Sequence, residues 1–90
     1  MSLISREVLI TNRRGLHARA SAKFVTLASG LPTIVSVEKD GSSVVGTSIM
    51  GLMMLGAAMG DSVTISASGD GAEAAVTALA DLVEAKFGED

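Results

Sequence analysis

The chain has 90 residues, 48% of them hydrophobic and 19% charged, which predicts one folded domain over residues 1–90 and excludes a disordered chain. With no cysteine, one histidine and scattered carboxylates, it offers neither a disulfide scaffold nor a metal-ligand set, and no cofactor is expected. A net charge of −3 and a pI near 4.9 argue against a nucleic-acid partner, and no apolar run reaches the ~18 residues of a membrane span.

The opening Met1-Ser2-Leu3-Ile4-Ser5-Arg6 lacks a basic region followed by an apolar stretch, so a cytoplasmic protein without a signal peptide is expected. From Arg6 to Thr11 the residues alternate, with Val8 and Ile10 on one face, and a first strand is predicted. Asn12-Arg13-Arg14-Gly15 breaks that pattern. From Ala18 the period becomes helical, because Ala20, Phe24, Leu27 and Ala28 share one face. Gly30 is placed for a left-handed C-terminal cap, and Pro32 prevents the helix from continuing.

Thr33 to Glu38 alternates again, with Val35 and Val37 together, and Asp40-Gly41 is the pair that tight hairpins favour. Val44 and Val45 form a short third strand. Ser48 then caps a short helix, Ile49 to Leu55, weakened by Gly51 at ~1 kcal/mol relative to alanine. A fourth strand, Ser62 to Ala67, turns Val63, Ile65 and Ala67 inward. Asp70 with Glu73 predicts a capping box, and Ala75, Val76, Leu79, Leu82 and Val83 give a helical stripe running to about Phe87. The order β-α-β-β-α-β-α predicts one sheet with helices on one face.

A lone histidine is usually structural or solvated. His17 differs because it stands where loop becomes helix, after Gly15 and two residues before Arg19. A helix N-terminus presents unpaired N–H groups to an anion, and guanidinium groups at Arg14 and Arg19 suit phosphate oxygens. A nucleophile beside an anion cradle points to a phosphohistidine. Ile49, Met50, Met53 and Met54 cannot all face inward on so short a helix; Leu52 and Leu55 serve the core, and the rest predict an exposed apolar patch beside His17.

Gly15-Leu16-His17-Ala18-Arg19-Ala20-Ser21, followed by Phe24-Val25, resembles the active-site stretch of the HPr family, the histidine phosphocarriers of the phosphoenolpyruvate-dependent phosphotransferase system. Thr47-Ser48-Ile49-Met50-Gly51-Leu52-Met53-Met54-Leu55-Gly56 resembles that family's regulatory-serine segment. The resemblance implies an α+β open-faced sandwich, a four-stranded antiparallel sheet with three helices on one face. It implies a monomeric carrier rather than a stand-alone enzyme. His17 would be phosphorylated on Nδ1 by enzyme I and discharged to IIA-type acceptor domains, with Arg19 and the Ala18 and Arg19 N–H groups steadying the phosphoryl group. Ser48 would be the target of an HPr kinase/phosphorylase where that regulator exists.

Three positions depart from the family pattern. Ala20 stands where proline is usual, Thr47 replaces the lysine before the regulatory serine, and Arg14 adds charge near the phosphate. Ala20 removes preorganisation rather than chemistry. Thr47 weakens the match to a kinase recognition segment, and Arg14 biases partner choice. Together with Ile49, Met50, Met53 and Met54, these three residues form the expected partner surface. The competing expectations are a small-molecule-binding regulatory domain without covalent chemistry and an enzyme using His17 as general base. The residues leave open whether the acceptor is a sugar-transport or a nitrogen-related branch.

Overall fold

A computed structural model describes residues 3–89, so Met1 and Ser2 of the opening segment, and Asp90, lie outside the described residues. Four strands, β1 (Leu3–Leu9), β2 (Val35–Lys39), β3 (Ser42–Val45) and β4 (Ser62–Ser68), form one antiparallel sheet in the order β1-β4-β2-β3. Helices α1 (Ala18–Ser29), α2 (Ile49–Met54) and α3 (Ala72–Glu84) complete the β-α-β-β-α-β-α order.

Alternation in the strands decides which face the helices cover. Val8, Val35, Val37, Val63, Ile65 and Ala67 all turn inward and are buried against Ala20, Phe24, Ala75, Val76, Leu79 and Val83 of α1 and α3. The opposite face is mostly serine, threonine and charge, and Ser5, Glu7, Ser36, Glu38 and Ser66 stand on it in register. The Asp40-Gly41 turn closes β2 onto β3 with φ of 52° and 84°, which a two-residue hairpin of this twist requires. At α2, the Ser48 hydroxyl accepts the Gly51 N–H at 2.9 Å, the expected N-cap. Gly51 itself is a fitted position, since a Cβ there would lie 3.0 Å from Val44 Cβ and 3.1 Å from Ser48 Oγ.

Several boundaries differ from the expectations. β1 begins at Leu3 and ends at Leu9, because its ladder with β4 runs from Leu3↔Ser68 to Leu9↔Ser62; Ile10 is buried just beyond it. Gly30 has φ −88° and ψ 0°, so α1 closes by tightening, with the Gly30 and Leu31 N–H groups donating to Leu27 and Ala28, rather than by a left-handed cap. Asp70 does not cap α3. The N-cap is Gly71, at φ 83°, where a Cβ would lie 2.9 Å from Pro32 Cγ, and its carbonyl accepts the Ala75 N–H. Finally, α3 stops at Glu84 instead of reaching Phe87. Lys86, Phe87 and Gly88 follow with φ of 58°, 56° and 76°, a left-handed reversal that still buries Phe87. Two non-glycine residues in that region cost about 1–2 kcal/mol each, so other contacts must hold the reversal in place.

Candidate functional site

The loop between β1 and α1 is shaped by Gly15. Its φ is +61°, and a Cβ there would overlap the Ala57 carbonyl oxygen and come within 2.8 Å of Ala58 Cα. This close approach lets the Leu16 N–H donate to the Ala57 carbonyl at 2.9 Å, tying the loop to the chain leaving α2. Ser21, buried in the first turn of α1, donates its hydroxyl to the Leu16 carbonyl at 3.2 Å. The two bonds fix the chain on either side of His17.

His17 is the N-cap residue of α1, extended at φ −72° and ψ 178°, and its carbonyl accepts the Ser21 N–H at 2.9 Å. No side chain caps this helix end among the described residues, so the N–H groups of Ala18, Arg19 and Ala20 have no intrahelical partner. Arg14 and Arg19 are exposed, and neither forms an ion pair among the described residues. The helix end is therefore electropositive.

The imidazole itself is largely enclosed, with 13% of the His17 side chain exposed. Its Nε2 is hydrogen-bonded to Oε2 of Glu89, whose side chain is 20% exposed. Nδ1 makes no hydrogen bond among the described residues. Glu89 Oε1 accepts from Asn12 Nδ2 at 3.1 Å, and the same amide nitrogen donates to the Gly15 carbonyl at 2.8 Å. Two acceptors require the Asn12 amide to present its nitrogen here, which leaves Oδ1 buried and without a partner among the described residues. Partial desolvation pushes the Glu89 carboxyl up. Hydrogen bonds from Asn12 and His17 and the charges of His17 and Lys23 outweigh it, holding the carboxyl below its ordinary value.

Glu89, Asn12 and Lys23 escaped the sequence reading. Glu89 reaches the site through the left-handed reversal, and Lys23 of α1 stabilises that turn by donating to the Phe87 carbonyl at 2.7 Å. The available signal was Phe87, one of two aromatic residues in the chain, placed where a helix stripe was ending.

Of the expected partner-surface residues, Thr47, Ile49, Met50, Met53 and Met54 are exposed, Met50 by 70% and Met54 by 80%, while Leu52 and Leu55 are buried. Ala20 is buried against the core rather than available to a partner, since it lies on the inward face of α1 with Phe24. Elsewhere, a shallow depression on the sheet face is lined by Glu7, Glu38, Lys39, Asp40 and Asp61, and an open apolar groove runs beside Leu27, Leu31 and Leu82.

The phosphorylation-site model of the HPr component of the phosphotransferase system matches residues 4–85. The chain belongs to the HPr family. It is 45% identical over 87 residues to a phosphocarrier protein HPr of Neisseria meningitidis, covering 97% of this chain and 98% of that one. To the phosphocarrier protein NPr of Shewanella violacea it is 44% identical over 92 residues, covering 99% and 98%. Among solved structures, an HPr of Thermoanaerobacter tengcongensis superimposes with a TM-score of 0.87 at 48% identity, covering 100% of this chain and 99% of that chain. The open-faced sandwich and the phosphocarrier activity of the phosphotransferase system are thus those of the family. Among the described residues no helix is long and apolar enough to cross a membrane, and no three metal-ligating side chains converge.

Proposed function

We propose that this chain, acting as a single domain and a monomer in the cytoplasm, carries one phosphoryl group on His17 Nδ1. Enzyme I supplies the group and IIA-type acceptor domains remove it. The observation that carries this reading is the union of an imidazole nitrogen, Nδ1, with a helix end and two exposed guanidinium groups nearby in sequence, none of which has a side-chain partner among the described residues. The Ala18 and Arg19 N–H groups and the Arg19 side chain bind the phosphoryl oxygens, and Arg14 adds positive potential to the approach. The partner enzyme supplies most of the catalysis, while this chain presents a positioned nucleophile. The exposed residues of the α2 region, Thr47, Ile49, Met50, Met53 and Met54, receive donor and acceptor in turn; methionine adapts to both. Ser48 lies at the head of that surface and serves as a regulatory phosphorylation site, where added negative charge repels acidic partner groups.

The test is direct. Incubated with phosphoenolpyruvate, Mg²⁺ and enzyme I, the protein should gain one acid-labile, base-stable phosphoryl group. His17→Ala should abolish the label with the fold intact. Arg19→Ala should keep the label but transfer it more slowly, having lost a charge-assisted contact of roughly 1.5–3 kcal/mol at most. Wild-type protein left unlabelled by a competent enzyme I overturns the assignment, and normal labelling of His17→Ala overturns the residue.

A further inference from the structure

We infer that Glu89 is a positioning residue for phosphoryl transfer, holding the His17 ring in the one tautomer whose Nδ1 is free to attack. The inference rests on the phosphocarrier reading above and adds to it a residue far from the site in sequence. A carboxylate has no proton to give, so in its bond with Glu89 Oε2 the Nε2 of His17 must be the N–H donor. A neutral imidazole has one N–H and one lone pair, and fixing the proton on Nε2 leaves the lone pair on Nδ1. The depressed ionisation of Glu89 keeps it an acceptor at neutral pH.

The carboxylate is itself held from behind. Oε1 accepts from Asn12 Nδ2, which also grips the Gly15 carbonyl, so the loop that sets the His17 backbone and the group that sets its ring share one amide. Glu89 arrives there only because the chain reverses through left-handed Lys86 and Phe87, a conformation maintained by burial of Phe87 and by Lys23 on its carbonyl. Backbone strain kept in place to aim one side chain is a mark of a functional position.

During transfer the Nδ1 lone pair forms the new P–N bond. The bond from phosphorus to the donor atom on phosphorylated enzyme I breaks, its electron pair leaving on that atom. The Nε2 proton stays in place, and the positive charge gained by the His17 ring meets the Glu89 carboxylate.

The ring can be observed without any partner. In ¹⁵N NMR of the unphosphorylated protein at a pH where the imidazole is neutral, Nε2 should show the protonated shift and Nδ1 the lone-pair shift. Glu89→Ala should move both toward the average of exchanging tautomers and slow transfer from phosphorylated enzyme I by about tenfold or more. Glu89→Gln, which keeps an oxygen acceptor, should restore the wild-type tautomer and much of the rate. A wild-type ring protonated on Nδ1, or Glu89→Ala matching wild type in tautomer and rate, overturns the role of Glu89 while leaving the carrier assignment standing. Failure of wild-type protein to be labelled overturns the carrier assignment instead, with the tautomer still measured.

Discussion

Gly15 and Gly56 form a matched pair that separates conformational strain from steric conflict. Their φ values are +61° and +65°, so alanine at either position must adopt the left-handed region. Around Gly56 a Cβ meets nothing within 4 Å, and the substitution costs only the strain, offset in part by a stiffer unfolded chain; about 1 kcal/mol is expected. At Gly15 the same strain applies, but the Cβ also overlaps the Ala57 carbonyl and lies 2.8 Å from Ala58 Cα, where about 3.5 Å is comfortable. Relief requires the chain after α2 to retreat, which breaks the 2.9 Å bond from the Leu16 N–H and leaves a peptide group unsatisfied, adding about 1–3 kcal/mol. In a domain of this size that difference lowers Tm by about 5–20 °C more for Gly15→Ala than for Gly56→Ala. Thermal unfolding followed by far-UV circular dichroism reads it, since the chain has no tryptophan or tyrosine. Equal Tm losses in the two variants would refute the packing argument and reduce Gly15 to a conformational glycine.

Met50→Glu should leave Tm nearly unchanged, because the side chain is 70% exposed, yet slow phosphoryl transfer; parallel losses in both would show that Met50 supports the core. Ser48→Ala removes the acceptor for the Gly51 N–H and should cost about 1 kcal/mol in urea unfolding, whereas Ser48→Asp should keep the cap and weaken enzyme I binding most at low salt. The Glu89 side chain, followed by ¹³C NMR, should titrate below 4.5: its folded value is depressed, so its contact stabilises the fold above 4.5 and is lost as pH falls through the lower folded value. A midpoint at or above 4.5 would contradict the bonding described for it.

The sheet and its covered face were legible because period-two patterns such as Val63, Ile65 and Ala67 need only local sequence. The same holds for the Asp40-Gly41 hairpin and for Ser48 as a cap, where one residue's chemistry settles the local backbone. Helix ends proved harder. Asp70 has the right chemistry for a cap, but Gly71 packs on Pro32 of a distant loop, and that tertiary contact starts α3 one residue later. Phe87 falls in phase with Val83 and is buried as the stripe implies, yet by a reversal rather than by a continuing helix. His17 could be singled out from its junction position. Its companions Asn12 and Glu89 could not, since a bond joining the two ends of the chain leaves no periodic trace.

The strand order has a consequence for how the chain acquires its shape. The β2–β3 hairpin closes over a two-residue turn, whereas β1 must find β4 across roughly fifty to sixty-five residues of intervening chain, an entropic difference of about 2–3 kcal/mol in closing the two loops. During synthesis β1 is made well before its partner β4. Until Ser62 to Ser68 are made, the strand that leads into the His17 loop lacks the one ladder partner it has among the described residues. The ladder that brings the His17 loop into register is therefore the one of longest sequence separation in the sheet, and it forms against the largest closure entropy.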